Sequence, residues 1–241
     1  MKLSFTPLLI LVFIAIKSFA QETKKVVEEP TERVKIIYYV LKENKKVKQG
    51  PFEQYDNGVL AVTGFYKMDK KDSVWQRFSS KGIVLSKKTY TEDKKTGVWD
   101  FNKNDGTTDW QYDFTNDSCI NKPKETPYSY LSSNGEWING KADKDLLWLR
   151  SASEFQYYLT RNIRYPADAI DRNRQGKVFV EITIDENGNA TDFSVPAKVY
   201  PSLDAEAIRV VKFFHPEFLP AEKDGKKVRS KVRVAIQFGL G

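Results

Sequence analysis

Residues 176–184, GKVFVEITI, open the stretch that decides the fold of this 241-residue chain. Their apolar side chains alternate with polar ones, which is the period-two pattern of a strand with one buried face. The next four residues, Asp185 to Gly188, end in Asn-Gly, and this pair favours a tight hairpin because both residues accept positive φ. The sequence therefore predicts a β-hairpin whose second strand runs over residues 190–195.

A helix and a final strand follow this hairpin. Residues 202–214, SLDAEAIRVVKFF, repeat apolar side chains at helical spacing, with Ser202 as the predicted N-cap. Residues 228–238 then return to the period-two pattern of a strand. Upstream, helices are predicted from the capping-box residue Ser151 and from Pro166, whose fixed φ suits a first helical position. The predicted fold class is α+β, with two helical segments packed on a three-stranded antiparallel sheet.

Five short motifs follow one another between residue 151 and the C-terminus. They are Tyr165-Pro166-Ala167-x-Ala169, Gly176-x-Val178-x-Val180 with Asn187-Gly188, Leu203-Asp204-x-Glu206-Ala207, Phe218-x-Pro220-Ala221, and a closing strand that ends at Phe238. In order and spacing they resemble the C-terminal domain of the TonB energy transducer, over residues 151–241. That family usually has a tryptophan at the position of Phe218, so this chain keeps an aromatic ring but departs from the pattern. Tyr165, Pro166 and Gly176 are the candidate family-motif residues.

The resemblance implies that this domain binds other proteins by β-strand addition, in which an extended segment of the partner joins an open sheet edge. In the TonB family the partner is an outer-membrane transporter, and another envelope protein or a second copy of the chain are further candidates. The matching positions in the last strand are Arg229, Ser230, Lys231, Val232 and Arg233. Their three cations would select an acidic peptide, or they serve to protect the edge from aggregation, and both interpretations stay open.

Aromatic residues recur with a fixed period in the N-terminal half of the chain. Phe52, Trp75 and Trp99 are 23 and 24 residues apart, and strand-like segments with glycine turns lie between them. Residues 34–115 therefore resemble MORN repeats, in an all-β region of hairpin repeats. We expect the aromatic residues to form the core of a thin sheet, with a binding surface on that sheet as the alternative.

The N-terminus predicts the compartment. Residues 1–20 have a positive start, an apolar core of about a dozen residues and a small-x-small cleavage site, which together predict a signal peptide. Cleavage would place the protein in the periplasm or cell envelope, whereas an uncut segment would anchor it in the inner membrane, as in an intact TonB. Residues 21–33 are predicted to be a flexible lead, and residues 116–150 a loop-rich linker.

Composition argues against several classes of function. The net charge is +7, but basic and acidic residues are interleaved along the chain, which argues against nucleic-acid binding. Cys119 is the only cysteine and His215 the only histidine, so the sequence predicts no metal site and no cofactor, and His215 is expected to cap or pack. No catalytic motif is present, and no catalytic residue is proposed.

These observations predict an exported periplasmic binding protein that engages an envelope partner, such as an outer-membrane transporter, by strand addition. Two alternatives remain. One is a structural or envelope-interaction protein whose MORN-like sheet is the binding surface. The other is a membrane-anchored TonB, if residues 1–20 are retained.

Overall fold

The computed structural model describes residues 22–123 and 126–240. The predicted signal peptide at residues 1–20 lies outside the described residues. Within the described ranges, no helix is both long and apolar enough to span a bilayer.

The N-terminal part of the chain forms one antiparallel sheet of nine strands, whose spatial order is the order of the sequence. The strands are β1 (Thr23–Thr31), β2 (Val34–Leu41), β3 (Lys48–Asp56), β4 (Val59–Lys67), β5 (Lys70–Phe78), β6 (Val84–Thr91), β7 (Lys94–Asn102), β8 (Thr108–Asp113) and β9 (Ser118–Asn121). The predicted all-β region of hairpins is therefore confirmed.

The predicted flexible lead at residues 21–33 is wrong, because β1 pairs with β2 from Thr23 opposite Leu41 to Thr31 opposite Val34. The segment is rich in charged residues, and most of its side chains remain exposed. Backbone groups make the ladder between strands, so a charged segment can extend a sheet while its side chains stay in water.

Aromatic residues form the core on one face of this sheet, as expected. Trp99, Phe101 and Trp110 are almost fully buried, and the rings of Phe101 and Trp110 stack with centroids 4.1 Å apart. Trp75 lies flat on the backbone of β4, where a side chain at Gly64 would come within 2.3 Å of the indole. Each such ring removes a large apolar area from water, which stabilises a sheet that is only one layer thick.

The remaining elements form the C-terminal domain. They are β10 (Tyr128–Leu131), β11 (Trp137–Asn139), β12 (Leu147–Trp148), α1 (Ala152–Asn162), α2 (Ala167–Asp171), β13 (Gly176–Ile184), β14 (Ala190–Ser194), α3 (Pro201–Phe213), β15 (Phe218–Leu219), β16 (Ala221–Lys223), β17 (Lys226–Val228) and β18 (Ser230–Phe238). Its main sheet has five strands in the order β11-β10-β18-β13-β14, and two small pairs, β12-β15 and β16-β17, lie outside it. The α+β class with helices on an antiparallel sheet agrees with the sequence.

The predicted number of three strands is wrong, since β10 and β11 extend the sheet to five. Both strands come from residues 116–150, which were expected to be mostly loop. They form a hairpin around the Asn134-Gly135 turn, and Tyr130 is buried within it. Asn-Gly favours such a turn, but a strand of three or four residues has too little alternation to be recognised from the sequence.

Two helix starts differ from the prediction by one or two residues. Helix α3 begins at Pro201 after Tyr200, so Ser202 lies inside the first turn, and its hydroxyl has no hydrogen-bond partner in the described part of the chain. Pro166 is the N-cap of α2 rather than its first residue. The predicted cap of α1 is confirmed, because Ser151 Oγ accepts a hydrogen bond from Glu154 N at 3.0 Å.

His215 follows α3 in a left-handed conformation with φ of 50°, and its backbone N–H donates to the carbonyl of Lys212 at 3.0 Å. This is the geometry of a helix C-terminus. The interpretation of His215 as a capping residue agrees with this position.

Ion pairs join the C-terminal domain to the N-terminal sheet. Glu217 contacts Lys95 at 2.5 Å and Lys88 at 3.2 Å, and Arg161 at the end of α1 contacts Asp56 at 2.9 Å. Burial by itself raises the pKa of Glu217, but the two ammonium groups outweigh it and lower that pKa from 4.5 to about 2. The folded protein therefore keeps Glu217 charged at a pH at which the unfolded chain would protonate it.

We expect the carboxylate of Glu217 to make the free energy of unfolding depend on pH in the acidic range. Between pH 4.5 and 2 the unfolded state binds more protons than the folded state, so the contribution of Glu217 is complete above pH 4.5 and is lost as the pH falls towards 2. Glu217→Gln should lower the free energy of unfolding at pH 7 by about 2 kcal/mol, with allowance for solvent screening. Urea denaturation at a series of pH values measures the difference.

The matched control for this prediction is Glu92→Gln. Glu92 contacts Lys70 at 3.5 Å in an exposed ion pair, and removal of such a pair should change the stability by less than about 0.5 kcal/mol. A Glu217→Gln protein whose deficit is the same at pH 2 as at pH 7 would contradict the assignment.

Candidate binding edge of the C-terminal sheet

Strand β18 is the central strand of the C-terminal sheet and contains the predicted binding residues. It pairs with β13 over nine residue pairs, from Gly176 opposite Phe238 to Ile184 opposite Ser230, without a bulge. The even-numbered residues of β18 are buried and the odd-numbered ones face solvent, as the period-two pattern predicted. Register on this side of β18 is therefore fixed along its whole length.

The other edge of β18 is partly occupied by the chain itself. Tyr128, Ser129 and Tyr130 of β10 lie opposite Val232, Lys231 and Ser230 respectively. In addition, Leu131 N donates to the carbonyl oxygen of Arg229 at 2.8 Å. The expectation of an open edge over Arg229, Ser230, Lys231 and Val232 is therefore wrong. The reason is that the hairpin β10–β11, whose strands were not predicted from the sequence, supplies a neighbouring strand.

The edge of β18 has no strand beside it from Arg233 to Phe238, among the residues that the structure describes. Antiparallel ladders alternate, so the bond from Leu131 to Arg229 sets the backbone groups of odd-numbered residues towards β10. The N–H and C=O groups of residues 233, 235 and 237 accordingly point outward from this edge. We call Arg233–Phe238 the open edge.

Pro127 explains where β10 stops. The register that sets Tyr128 opposite Val232 would set Pro127 opposite Arg233. Proline has no backbone N–H to donate, so β10 cannot continue along β18 beyond Tyr128. Pro127 therefore limits the part of β18 that β10 can cover.

Ion pairs with β13 compensate two of the three predicted cations. Lys231 contacts Glu181 at 3.1 Å and Arg233 contacts the same carboxylate at 3.0 Å. Burial raises the pKa of Glu181, but the two cations outweigh this effect and lower it. Lys231 also lies over the ring of Trp137, 4.6 Å from its centroid. An acidic partner would therefore compete with Glu181 for these cations, while Arg229 remains exposed at the end of the strand.

The family-motif residues support the far end of β18. The hydroxyl of Tyr165 donates to the carbonyl of Arg174 at 2.6 Å, and its ring packs edge-on against Phe238, 5.6 Å between centroids. Gly176 lies opposite Phe238 with φ of 154°, and a side chain there would come within 2.8 Å of Val199. These residues hold the end of the strand that carries the open edge, and Pro166 caps the helix beside them.

Phe179 is a candidate binding residue that the sequence interpretation missed. It lies opposite Ala235 on the solvent face of the sheet and is 43% exposed. The small side chain of Ala235 leaves room for an incoming residue to reach this ring. The signal in the sequence was an aromatic residue at a polar position of the strand GKVFVEITI.

The structure presents no group of three or more potential metal-ligating side chains among its described residues. Cys119 is half-buried, and burial raises the pKa of its thiol.

Comparison with known proteins identifies a relationship for the C-terminal region. Residues 161–240 match the protein family described as Gram-negative bacterial TonB protein C-terminal, which confirms the resemblance inferred from the motifs. The solution structure of the Helicobacter pylori TonB C-terminal domain is 25% identical over 36% of this chain and 79% of that chain, with a TM-score of 0.26. No curated protein matches the chain.

We expect Ser129→Pro to release β10 from β18. The ladder alternation points Ser129 N–H at the carbonyl of Lys231, so the substitution removes that hydrogen bond. The amide of Lys231 should then exchange with solvent about tenfold faster, which corresponds to the loss of about one backbone bond. The amide of Val232 points to β13 and should keep its protection. Hydrogen exchange followed by NMR measures both.

Ser129→Ala is the control, because it changes the side chain and keeps the N–H. Its exchange rates should equal those of the wild type. Unchanged exchange of Lys231 in Ser129→Pro would mean that β10 does not protect the edge in solution.

Proposed function

We propose that the protein is a cell-envelope binding protein whose TonB-like C-terminal domain engages a partner polypeptide by β-strand addition along the open edge. A single observation carries the proposal: β18 is held in register over its whole length on one side, and among the described residues no strand lies beside six of its nine residues on the other side. Unpaired backbone groups of this kind bind an extended peptide. The proposed function is binding rather than catalysis.

The geometry favours a short, reversible interaction. An added strand can bond to the outward groups of three residues, Arg233, Ala235 and Gln237, and each net hydrogen bond contributes about 0.5–1.5 kcal/mol. Association costs several kcal/mol, so the backbone hydrogen bonds alone give only a small net free energy of binding. Contacts with Phe179 and Arg233 would supply the remaining affinity and the specificity. A partner strand with an apolar residue opposite Ala235 fits these features.

The partner that we propose is an outer-membrane transporter or another envelope protein. The match to the TonB C-terminal family supports an envelope interaction role. The proposed signal peptide at residues 1–20 would deliver the chain to the periplasm. Mass spectrometry of the mature protein tests this step: a chain that begins at Gln21 excludes the anchored alternative, and an intact Met1 supports it.

Ala235→Pro is the sharpest test of strand addition. Ala235 points its N–H outward, so proline removes a donor that the partner needs while the ladder to β13 keeps its bonds. With a photoreactive amino acid at the exposed position of Gln237, the full-length protein should crosslink to an envelope protein in cells. In Ala235→Pro we expect that adduct to fall about tenfold, since about one net hydrogen bond to the partner is lost.

Ala235→Val is the matched control, because it keeps the N–H and suits a strand. It should crosslink as well as the wild type, and both variants should melt within a few degrees of it. Equal crosslinking of Ala235→Pro would refute strand addition at this edge. An adduct made only of two copies of the chain would replace the proposed transporter by a homodimer.

A further inference from the structure

Strand β1 forms one edge of the nine-stranded sheet, and no strand lies on its outer side within residues 22–123 and 126–240. It spans nine residues, whereas β9 at the opposite edge spans four. An edge of this length presents a row of unpaired N–H and C=O groups, which can pair with another chain unless side chains prevent it. The side chains of β1 therefore decide whether this edge repels a second strand or accepts one.

The charges of β1 are arranged in two blocks of opposite sign. Residues 23–29 read TKKVVEE, so Lys24 and Lys25 precede the two valines and Glu28 and Glu29 follow them. A row of like charges would repel a second copy of the strand. Two blocks of opposite sign instead match a second copy that runs antiparallel, because its acidic end then lies beside the basic end of the first.

These charges are not compensated within the part of the chain that the structure describes. Lys24, Lys25 and Glu29 are exposed and form no ion pair there. The carboxylate of Glu28 accepts a hydrogen bond from the hydroxyl of Tyr38 at 2.6 Å. That hydroxyl is neutral, so Glu28 keeps its negative charge and a second oxygen with which to bind a cation.

The backbone bonds of β1 show which of its residues face outward. Lys42 N donates to the carbonyl of Glu22 at 2.9 Å, in the register of the ladder between β1 and β2. Antiparallel ladders alternate, so the even-numbered residues of β1 direct their N–H and C=O groups to β2. The groups of residues 23, 25 and 27 therefore point away from the sheet.

This alternation restricts how a second copy can pair with the edge. Outward groups bond to outward groups, so an odd-numbered residue lies opposite an odd-numbered one and an even-numbered residue opposite an even-numbered one. A two-fold axis through any charged residue of the stretch would place two like charges opposite each other, which is unfavourable. Axes through Val26 and Val27 remain.

The irregular end of β1 favours the axis through Val26. The register with β2 shifts beyond Glu28. The axis through Val27 would depend on the outward groups of Glu29, in this irregular segment. The axis through Val26 uses the groups of residues 25 and 27, which lie in the regular part of the ladder.

The axis through Val26 also joins the apolar faces of two sheets. Val26 is half-buried opposite Tyr38 of β2, and Tyr38 lies opposite Phe52 of β3. Directly opposite residues share a face, and Phe52 packs against the aromatic core. The two Val26 side chains would therefore meet on the core face and remove apolar surface from water.

We propose that the chain forms a two-fold dimer in which β1 pairs antiparallel with β1 of a second copy, with the axis at Val26. Lys25 lies opposite Val27 of the second copy and Val27 opposite its Lys25, and each pair exchanges two backbone hydrogen bonds. Lys24 forms an ion pair with Glu28 of the second copy, and the symmetric pair forms on the other side of the axis. This surface is distinct from the open edge of β18, so neither proposal depends on the other.

Cysteine substitution tests the position of the axis. The two Cα atoms of residue 26 would be about 4.5 Å apart, which a disulfide can bridge. In a Cys119→Ser background, Val26→Cys should therefore form a disulfide-linked dimer, seen on a non-reducing gel of the full-length protein as the cell processes it.

Val27→Cys is the matched control for this experiment. Val27 is 49% exposed, so chance collisions would oxidise a cysteine there readily. In the proposed register the two copies of residue 27 are diagonal neighbours about 7–8 Å apart, too far for a disulfide, and this variant should stay reduced. Equal bridging at both positions, or bridging at residue 27 alone, overturns the proposed pairing.

Charge reversal tests the ion pairs in solution. In Lys24→Glu both contacts become two glutamates, and in Glu28→Lys both become two lysines, so each variant alone should dimerise about tenfold more weakly than the wild type. An equimolar mixture of the two variants restores both contacts and should dimerise as the wild type does. Sedimentation equilibrium measures the dissociation constants, and rescue in the mixture also shows that both variants are folded.

Lys25→Glu and Glu29→Lys are the controls, because they make the same charge changes at the next positions. In the proposed register these residues lie opposite Val27 and Thr23, so each variant should stay within about threefold of the wild type. The proposal is overturned if the wild type is monomeric up to about 1 mM, or if both sets of variants weaken dimerisation equally. It is also overturned if the dimer survives Lys24→Glu and is lost in Ala235→Pro, which would place the contact at the open edge.

Discussion

The pairing of β18 with β13 is the interaction on which the C-terminal domain depends. Residues 178, 180, 182 and 184 of β13 are fully buried, and the even-numbered residues of β18 lie beside them. Burial of one such side chain contributes about 1.5–3 kcal/mol, and a slip of one residue would turn the whole set to solvent. Helix α3 covers this face with Leu203, Ala207 and Val210. The register of the last strand, and hence the position of the open edge, follows from this burial.

Strand β18 has only two edges along which another strand can pair, and this limits the length of the candidate site. The edge towards β13 is committed to the core. The opposite edge is shared between β10, which occupies Ser230 to Val232, and the open edge at Arg233–Phe238. The hairpin β10–β11 therefore shortens the surface that a partner can use. Strand β13 changes the charge there, because its Glu181 is already paired with Lys231 and Arg233.

The N-terminal sheet meets a different requirement, because among the described residues no second sheet packs against most of it. Large rings and lysine stems cover its apolar face instead, since a lysine can bury its methylene chain and keep its charge near water. The C-terminal domain covers the end near Trp99 and Trp110, where Leu149 and Glu217 contact the sheet.

Local patterns were sufficient for much of the fold. The sequence was enough to recognise the alternation in GKVFVEITI, the Asn187-Gly188 turn and the cap at Ser151, because each involves residues that are close in the sequence. It was also enough to recognise the repeat of aromatic residues every 23 or 24 positions, because a repeat is visible without knowledge of the fold. The motifs also identified the C-terminal family, which the family comparison confirmed. Strand β1 and helix α3 show where such patterns are weak. Charged residues can pair through their backbone, and a proline can begin a helix in place of a serine cap.

By itself, therefore, the sequence determined the long strands and the helices of the last 90 residues or so, and the face that each one buries, because alternation, turns and caps are properties of nearby residues. The short strands β15, β16 and β17 were not predicted. Only the tertiary structure decided which edge is free. The pairing of Tyr130 with Ser230 joins segments that are a hundred residues apart in the sequence. It uses backbone N–H and C=O groups, so no pattern of side chains predicts it. The same holds for Glu217 above Lys95 and for Phe179 beside Ala235, whose proximity exists only after the chain has folded.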